Sequence, residues 1–155
     1  MSAEPPPRVR RAVADDETAL FALEQRVFCG DRLSRTQFRR HLDSDSALVL
    51  VCTDQGRLLG DAVLFFRRGS RVVRLYSLVA APEARGRGVG RALLVAAERH
   101  ARRRGKELRL EVRKDNDVAI RLYEGHGYAR FDERHRYYED GMDAWRYRKV
   151  LSADA

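Results

Sequence analysis

Leu75-Tyr76-Ser77-Leu78-Val79-Ala80-Ala81-Pro82-Glu83-Ala84-Arg85-Gly86-Arg87-Gly88-Val89-Gly90-Arg91 is the stretch on which the fold turns. Its first part is an apolar run of strand length. Its second alternates glycine with arginine and leads into Val89, Leu93, Ala96, Ala97 and Ala101, which recur at helical spacing. A chain passing from strand through glycines into a helix gathers unpaired amides and the positive end of the helix dipole at one point, a setting that suits phosphate. Gly86, Gly88 and Gly90 allow close backbone approach, while Arg85, Arg87 and Arg91 add charge-assisted donors.

Upstream, the apolar runs Ala47–Cys52, Leu58–Phe66 and Val72–Ala80 are separated by Asp54-Gln55-Gly56 and Arg68-Gly69-Ser70, which predicts an antiparallel meander. A dinucleotide fingerprint would need an early βαβ unit around the glycines, so the meander argues against NAD. Earlier still, Ala19, Leu20, Leu23 and Val27 line one helical face after an acidic turn at Asp15. Ser34-x-x-Gln37 reads as a capping box ahead of Phe38 and Leu42. Downstream, Gly105 stops the glycine-loop helix. A strand follows at Leu108–Val112, then a helix at Val118–Glu124 capped by Asp115-Asn116-Asp117, then strands at Tyr128–Phe131 and Trp145–Val150. The predicted order is ααβββαβαββ, an α/β (α+β) class with a mixed, mostly antiparallel sheet flanked by helices. One domain over 8–151 is expected, with a proline-rich tail over 1–7 and a frayed end over 152–155.

The 155 residues carry a formal net charge of +8. The charge is concentrated: Arg85, Arg87, Arg91, Arg99, Arg102, Arg103, Arg104 and Lys106 face a single acidic neighbour, Glu98. Beside a glycine loop this favours a phosphate-bearing ligand. Nucleic acid is disfavoured, because no recognition motif accompanies the charge, and Arg99 with Arg102–Arg104 also reads as a solvated helix face. No apolar run has transmembrane length and no signal-peptide pattern opens the chain, so a cytoplasmic protein without membrane contact is expected. Cys29 and Cys52 lack metal-ligand spacing, and no metal is expected.

Three ordered blocks extend the loop into a pattern. Leu75–Ala80 followed by Arg85-x-x-Gly88-x-Gly90 resembles the GNAT acetyltransferase superfamily. Leu110-Glu111-Val112-Arg113-x-x-Asn116 and Ala119-Ile120-x-Leu122-Tyr123-Glu124-x-x-Gly127-Tyr128 resemble the bacterial ribosomal-protein-alanine N-acetyltransferases within it, as does Tyr137-Tyr138-Glu139-Asp140-Gly141 followed by Asp143-Ala144. The resemblance implies acetyl-coenzyme A as co-substrate. It places Arg85, Gly86, Arg87, Gly88, Val89, Gly90 and Arg91 around the pyrophosphate, Leu78, Val79 and Ala80 along the pantetheine arm and acetyl carbonyl, and Asn116 beside the cofactor. For Asn116 the residues themselves leave a pure helix cap equally open.

Transfer of acetyl from a thioester to an amine needs a proton acceptor for the amine, donors for a developing oxyanion and a proton for the leaving thiolate. By resemblance Glu111 accepts and Tyr123 donates. Read as residues alone, Glu111 could be an outward strand position and Tyr123 a packing aromatic. Direct attack is favoured over an acetyl-enzyme, since neither cysteine has an evident activating base. An α-amine titrates near ~7.7–8.0 and a lysine near ~10.4, so a protein or peptide N-terminus suits one modest base. Phe28, Asp31, Leu33, Tyr137 and Tyr138 are candidate acceptor-site residues, although Phe28-Cys29-Gly30-Asp31-Arg32-Leu33-Ser34 departs from the Pro-Trp-Ser that the subfamily carries after the phenylalanine. Small-molecule amines, lysine side chains and a non-enzymatic acyl-coenzyme A-binding module stay open. Oligomeric state is not legible.

Overall fold

The computed structural model describes residues 7–28 and 33–151. Most of the expected N-terminal tail, Cys29, Asp31 and 152–155 lie outside the described residues.

The strands are β1 (Arg8–Arg11), β2 (Ala47–Asp54), β3 (Arg57–Phe66), β4 (Val72–Ala80), β5 (Glu107–Arg113), β6 (Ala129–Arg134) and β7 (Ala144–Val150). The helices are α1 (Glu17–Val27), α2 (Arg35–Leu42), α3 (Val89–Arg102) and α4 (Asp117–Gly125). They form one seven-stranded sheet ordered β1-β2-β3-β4-β5-β7-β6, in which only β4 and β5 run parallel. The mixed sheet flanked by helices matches the sequence reading, with one addition. Arg8–Arg11, assigned to no element from sequence, pairs with β2 as an edge strand. Only Val9 among its four residues is apolar, so it carries no alternation signal, and its arginines suit an exposed edge.

Two cores sit on opposite faces. On one, α3 and α4 cover Leu50, Leu64, Val73, Leu75, Leu108, Leu110 and Tyr147. Cys52 lies in this core as a small apolar group. On the other, Leu20 of α1 and Phe38 of α2 pack on Val49, Val51 and Val63, so the second core draws on the β2–β3 half of the sheet. The predicted capping box holds α2 in place: Gln37 N donates to Ser34 Oγ (3.1 Å) and Ser34 N to Gln37 Oε1 (2.8 Å).

Two irregularities shape the middle of the sheet. Val63 pairs with Ser77 but Leu64 with Leu75, which leaves Tyr76 as the extra residue of a bulge that bends β4. The β4–β5 ladder starts at Val72–Glu107 and ends at Leu75–Leu110. Beyond it, among the described residues, β4 keeps only β3 as a partner and β5 only β7, so the two parallel strands part after Leu75 and Leu110, one residue before Glu111 and three before Leu78.

Candidate active site

The site grows from that parting. On leaving β4 the chain turns through a short 3-10 segment at Pro82–Ala84 and enters α3 behind Gly88. Gly86 and Gly88 hold φ of +81° and +75°, a left-handed backbone that glycine adopts without strain. The first α3 bond runs from Ala92 N to Gly88 O (2.9 Å), so the amides of Val89, Gly90 and Arg91 lie ahead of the helical ladder. The loop is pressed close to the sheet. A Cβ at Gly60 of β3 would lie 2.5 Å from the Val79 carbonyl oxygen and 2.7 Å from Val89 Cγ1, and one at Gly90 would lie 3.3 Å from Leu122 of α4. Gly60 therefore sets the spacing between β4 and the first turn of α3.

The three loop arginines differ. Arg85 and Arg91 are exposed, whereas Arg87 turns back to Asp54 (3.0 Å) at the end of β2. A groove of about 440 Å³ runs from Arg87 and Gly88 along α3 past Arg91 and Arg99, walled by Val9 and Arg10. Its lining includes no residue of β4 or β5.

Asn116 is the N-cap of α4, its Oδ1 accepting from Ala119 N (3.1 Å). The capping function is thus realised, and the side-chain amide nitrogen is left over for another acceptor. The cap aims α4 so that Tyr123 enters the core, where it is 5% exposed and meets Tyr128 edge-on at 5.8 Å. Burial pushes the Tyr123 phenol above its ordinary range, which keeps it a proton donor at neutral pH. The Tyr128 hydroxyl is committed to Glu98 (2.9 Å), while Tyr123 makes no side-chain hydrogen bond among the described residues.

Glu111 lies one residue past the last β4–β5 pair, on the face opposite α4. It is not a solvated strand residue. Arg74 Nη2 donates to its Oε1 (2.5 Å) and the Tyr137 hydroxyl donates to the same oxygen (3.2 Å). Its Oε2 faces Arg146 Nε at 3.5 Å, beyond good hydrogen-bonding distance, and that nitrogen is buried without a hydrogen bond among the described residues. Oε2 therefore keeps acceptor capacity that Oε1 has spent.

The β6–β7 loop brings Tyr137 and Tyr138 over the parting. Arg113, at the end of β5, clamps this loop through Asp140 (3.1 and 2.8 Å) and also holds Asp115 ahead of α4. The Asp140 carboxyl is held below its usual range by Arg113. Tyr138, with its acidity weakened first by burial and then by Tyr137, Glu111 and Tyr123, sits within the field of both candidate catalytic residues. On the other side, Phe28 ends α1 and packs at the rim of the main core, while Leu33 is buried in the second core. Glu111, Tyr123, Tyr137 and Tyr138 thus converge, and the Leu33 side chain is spent on packing.

The sequence reading missed Glu24 and Asp61. Glu24 is 1% exposed and accepts from Leu33 N (3.3 Å), and Asp61 is fully buried opposite Val79, neither of its oxygens hydrogen-bonded among the described residues. Burial lifts Glu24 to about 7, and burial reinforced by Glu24 lifts Asp61 well above the ordinary carboxyl range. The signal was legible: Asp61 is the single acid in the apolar run Leu58–Phe66.

The sequence profile of the acetyltransferase (GNAT) family matches residues 14–128. The chain belongs to the GNAT acetyltransferase family. It is similar to the N-alpha-acetyltransferase RimI of Mycobacterium tuberculosis, with 34% identity over 82% of each chain. Identity to N-alpha-acetyltransferase 30 of Schizosaccharomyces pombe is 33%, over 63% of this chain and 67% of that one. The ribosomal-protein-S18-alanine N-acetyltransferase from Escherichia coli superposes with a TM-score of 0.82 at 27% identity, over 96% of both chains. This GNAT protein is accordingly an N-acetyltransferase. Among the described residues no group of three or more potential ligands could hold a metal, and no helix is long and apolar enough to cross a membrane.

Proposed function

We propose that this enzyme moves an acetyl group from acetyl-coenzyme A to the α-amine of a peptide or protein N-terminus, by direct attack within a ternary complex. The observation that carries the proposal is the parting of β4 and β5 beside the α3 amides, with Glu111 on one face and Tyr123 on the other. The donor set fits a pyrophosphate: amides ahead of the helical ladder, exposed Arg85 and Arg91, and glycines that admit close approach. Leu78–Ala80 offer a backbone edge without a strand partner to the pantetheine arm and the acetyl carbonyl.

In this reading the amine nitrogen attacks the thioester carbonyl, the C–S bond breaks, and Tyr123 protonates the departing thiolate. The amine proton leaves through Glu111 Oε2, directly or by a water that Arg146 Nε also binds. Tyr137 and Tyr138 flank the amine, and Phe28 supports the opposite rim. The similarity to RimI and to N-alpha-acetyltransferase 30 favours an N-terminal acceptor over lysine or a small amine.

The test pairs one peptide with a free N-terminus against the same peptide with a blocked terminus and an internal lysine, beside a panel of polyamines and aminoglycosides. Thiol release and mass spectrometry are the readouts. Modification confined to the free terminus is expected, and turnover on the blocked peptide or the small amines alone would overturn the acceptor assignment. Tyr123→Phe is expected to lower kcat about 100-fold with KM for acetyl-coenzyme A unchanged. An unaltered kcat would remove Tyr123 from the chemistry.

A further inference from the structure

Strand register places like charges side by side on the face that carries Glu111. Arg74 of β4 stands opposite Arg109 of β5, and Arg109 stands opposite Arg148 of β7. Three arginines thus form a row across three adjacent strands. Like charges directly opposite one another destabilise a sheet unless something neutralises them. Arg74 is answered by Glu111 and Arg109 by Glu107, but Arg148 makes no ion pair among the described residues. Among the described residues no helix core covers this half of the sheet on that face, because the second core is built from α1, α2, β2 and β3.

An aromatic floor completes the patch. Arg130 pairs with Tyr147 and Asp132 with Arg146, which leaves Phe131 as the bulged residue of β6. Its ring lies 5.2 Å from the Arg109 guanidinium, 4.8 Å from that of Arg146 and 5.1 Å from that of Arg148. Stacking on one ring fixes these long side chains in an extended pose, so part of their ordering cost is met before any ligand arrives.

We infer that the arginine row selects acceptor chains bearing acidic side chains at the second and third positions after the reacting amine. The inference rests on the peptide-acceptor reading above. Arg109 precedes Glu111 by two residues, about 7 Å along the strand, so an extended acceptor with its amine at Glu111 sets those positions over Arg74, Arg109 and Arg148, one of the two side chains facing the row and the other flanking it. Carboxylates there would supply the counter-charge that Arg148 lacks. Because Arg148 is exposed and Arg74 and Arg109 are half-buried, the selection acts by steering and weak pairing, and salt weakens it.

The experiment uses three peptides with a common first residue and acidic, neutral or basic second and third residues. For each, kcat/KM is measured at low salt and again with NaCl raised to about 0.5 M. The acidic peptide is expected to exceed the basic one about tenfold at low salt, the sum of a few exposed pairs. The difference lies mainly in KM and shrinks at high salt. Arg148→Ala is expected to reduce the preference and Arg148→Glu to abolish or invert it, with the melting temperature not lowered, since a like-charge contact with Arg109 is relieved, and the KM for acetyl-coenzyme A unchanged. Equal kcat/KM for the three peptides, or a preference that survives both Arg148→Glu and high salt, overturns the inference and leaves N-terminal acetylation standing. No turnover with any peptide alongside turnover on small amines overturns the acceptor reading and this inference with it.

Discussion

Glu24 and Asp61 are neutral acids in the folded protein at pH values where the unfolded chain has ionised them. The folded state holds the extra proton of Glu24 between its ordinary value of 4.5 and about 7. Stability therefore falls as pH rises through that window and stays reduced above it. Asp61 adds to the penalty in the same direction, since its shift is also upward. Glu24→Gln keeps an acceptor for Leu33 N and removes the charge. It is expected to unfold at higher urea than the parent at pH 8, by on the order of 2 kcal/mol, with the gain vanishing near pH 4.5. A difference between variant and parent that does not change with pH would contradict the assignment. Glu111 is a different kind of carboxylate, held in place by Arg74 and Tyr137 with one oxygen kept available, and so it is a matter of orientation more than of burial.

Elements differ in how far the sequence exposes them. β2, β3, β4, α3 and α4 were legible because apolar period, turn glycines and capping residues agreed, and the α2 capping box was realised as read. β1 was hidden, as its pairing comes from β2 and not from its own composition. Neither the Tyr76 bulge nor the end of the β4–β5 ladder was legible, because register is fixed by packing across strands that are distant in sequence. The residues of the candidate site could be named from motifs, whereas the Arg74 and Arg146 contacts to Glu111 depend on that register. Gly60 tests the element-level geometry. In Gly60→Ala the added methyl would press on the Val79 carbonyl and on Val89, lifting α3 from β4. A loss of about 1–3 kcal/mol in stability is expected, together with weaker coenzyme A binding by calorimetry. Unaltered affinity would show that the loop tolerates a wider spacing.

At the scale of the whole molecule, among the described residues, helices cover both faces of the β2–β3 half, while the β5–β7–β6 half is covered by helices on one face only. On the proposed reading the amine approaches from that open face, and the basic α3 loop sits towards the other. A ligand that binds only the folded state stabilises it by mass action, about 2.7 kcal/mol at a hundredfold excess over Kd. Coenzyme A is thus expected to raise the melting temperature by several degrees. The rise should be smaller in Arg91→Ala and at high salt, as scanning calorimetry would register. A shift insensitive to both would remove the loop arginines from the binding site.

A sheet ordinarily has two borders, and here both carry charge: Arg8, Arg10 and Arg11 on β1, and Arg130, Asp132 and Arg134 on β6. Such borders discourage a stray strand from docking. The parting of β4 and β5 gives this protein a third border, in the interior, along a wedge that is closed at Leu75–Leu110 and open towards Ala80 and Arg113. A wedge sorts its guests by thickness. On the proposed reading a slender pantetheine arm lies in it as a missing strand would, whereas a folded hairpin or a helix is stopped at the mouth, so the same gap that breaks the ladder would act as a gauge for the donor.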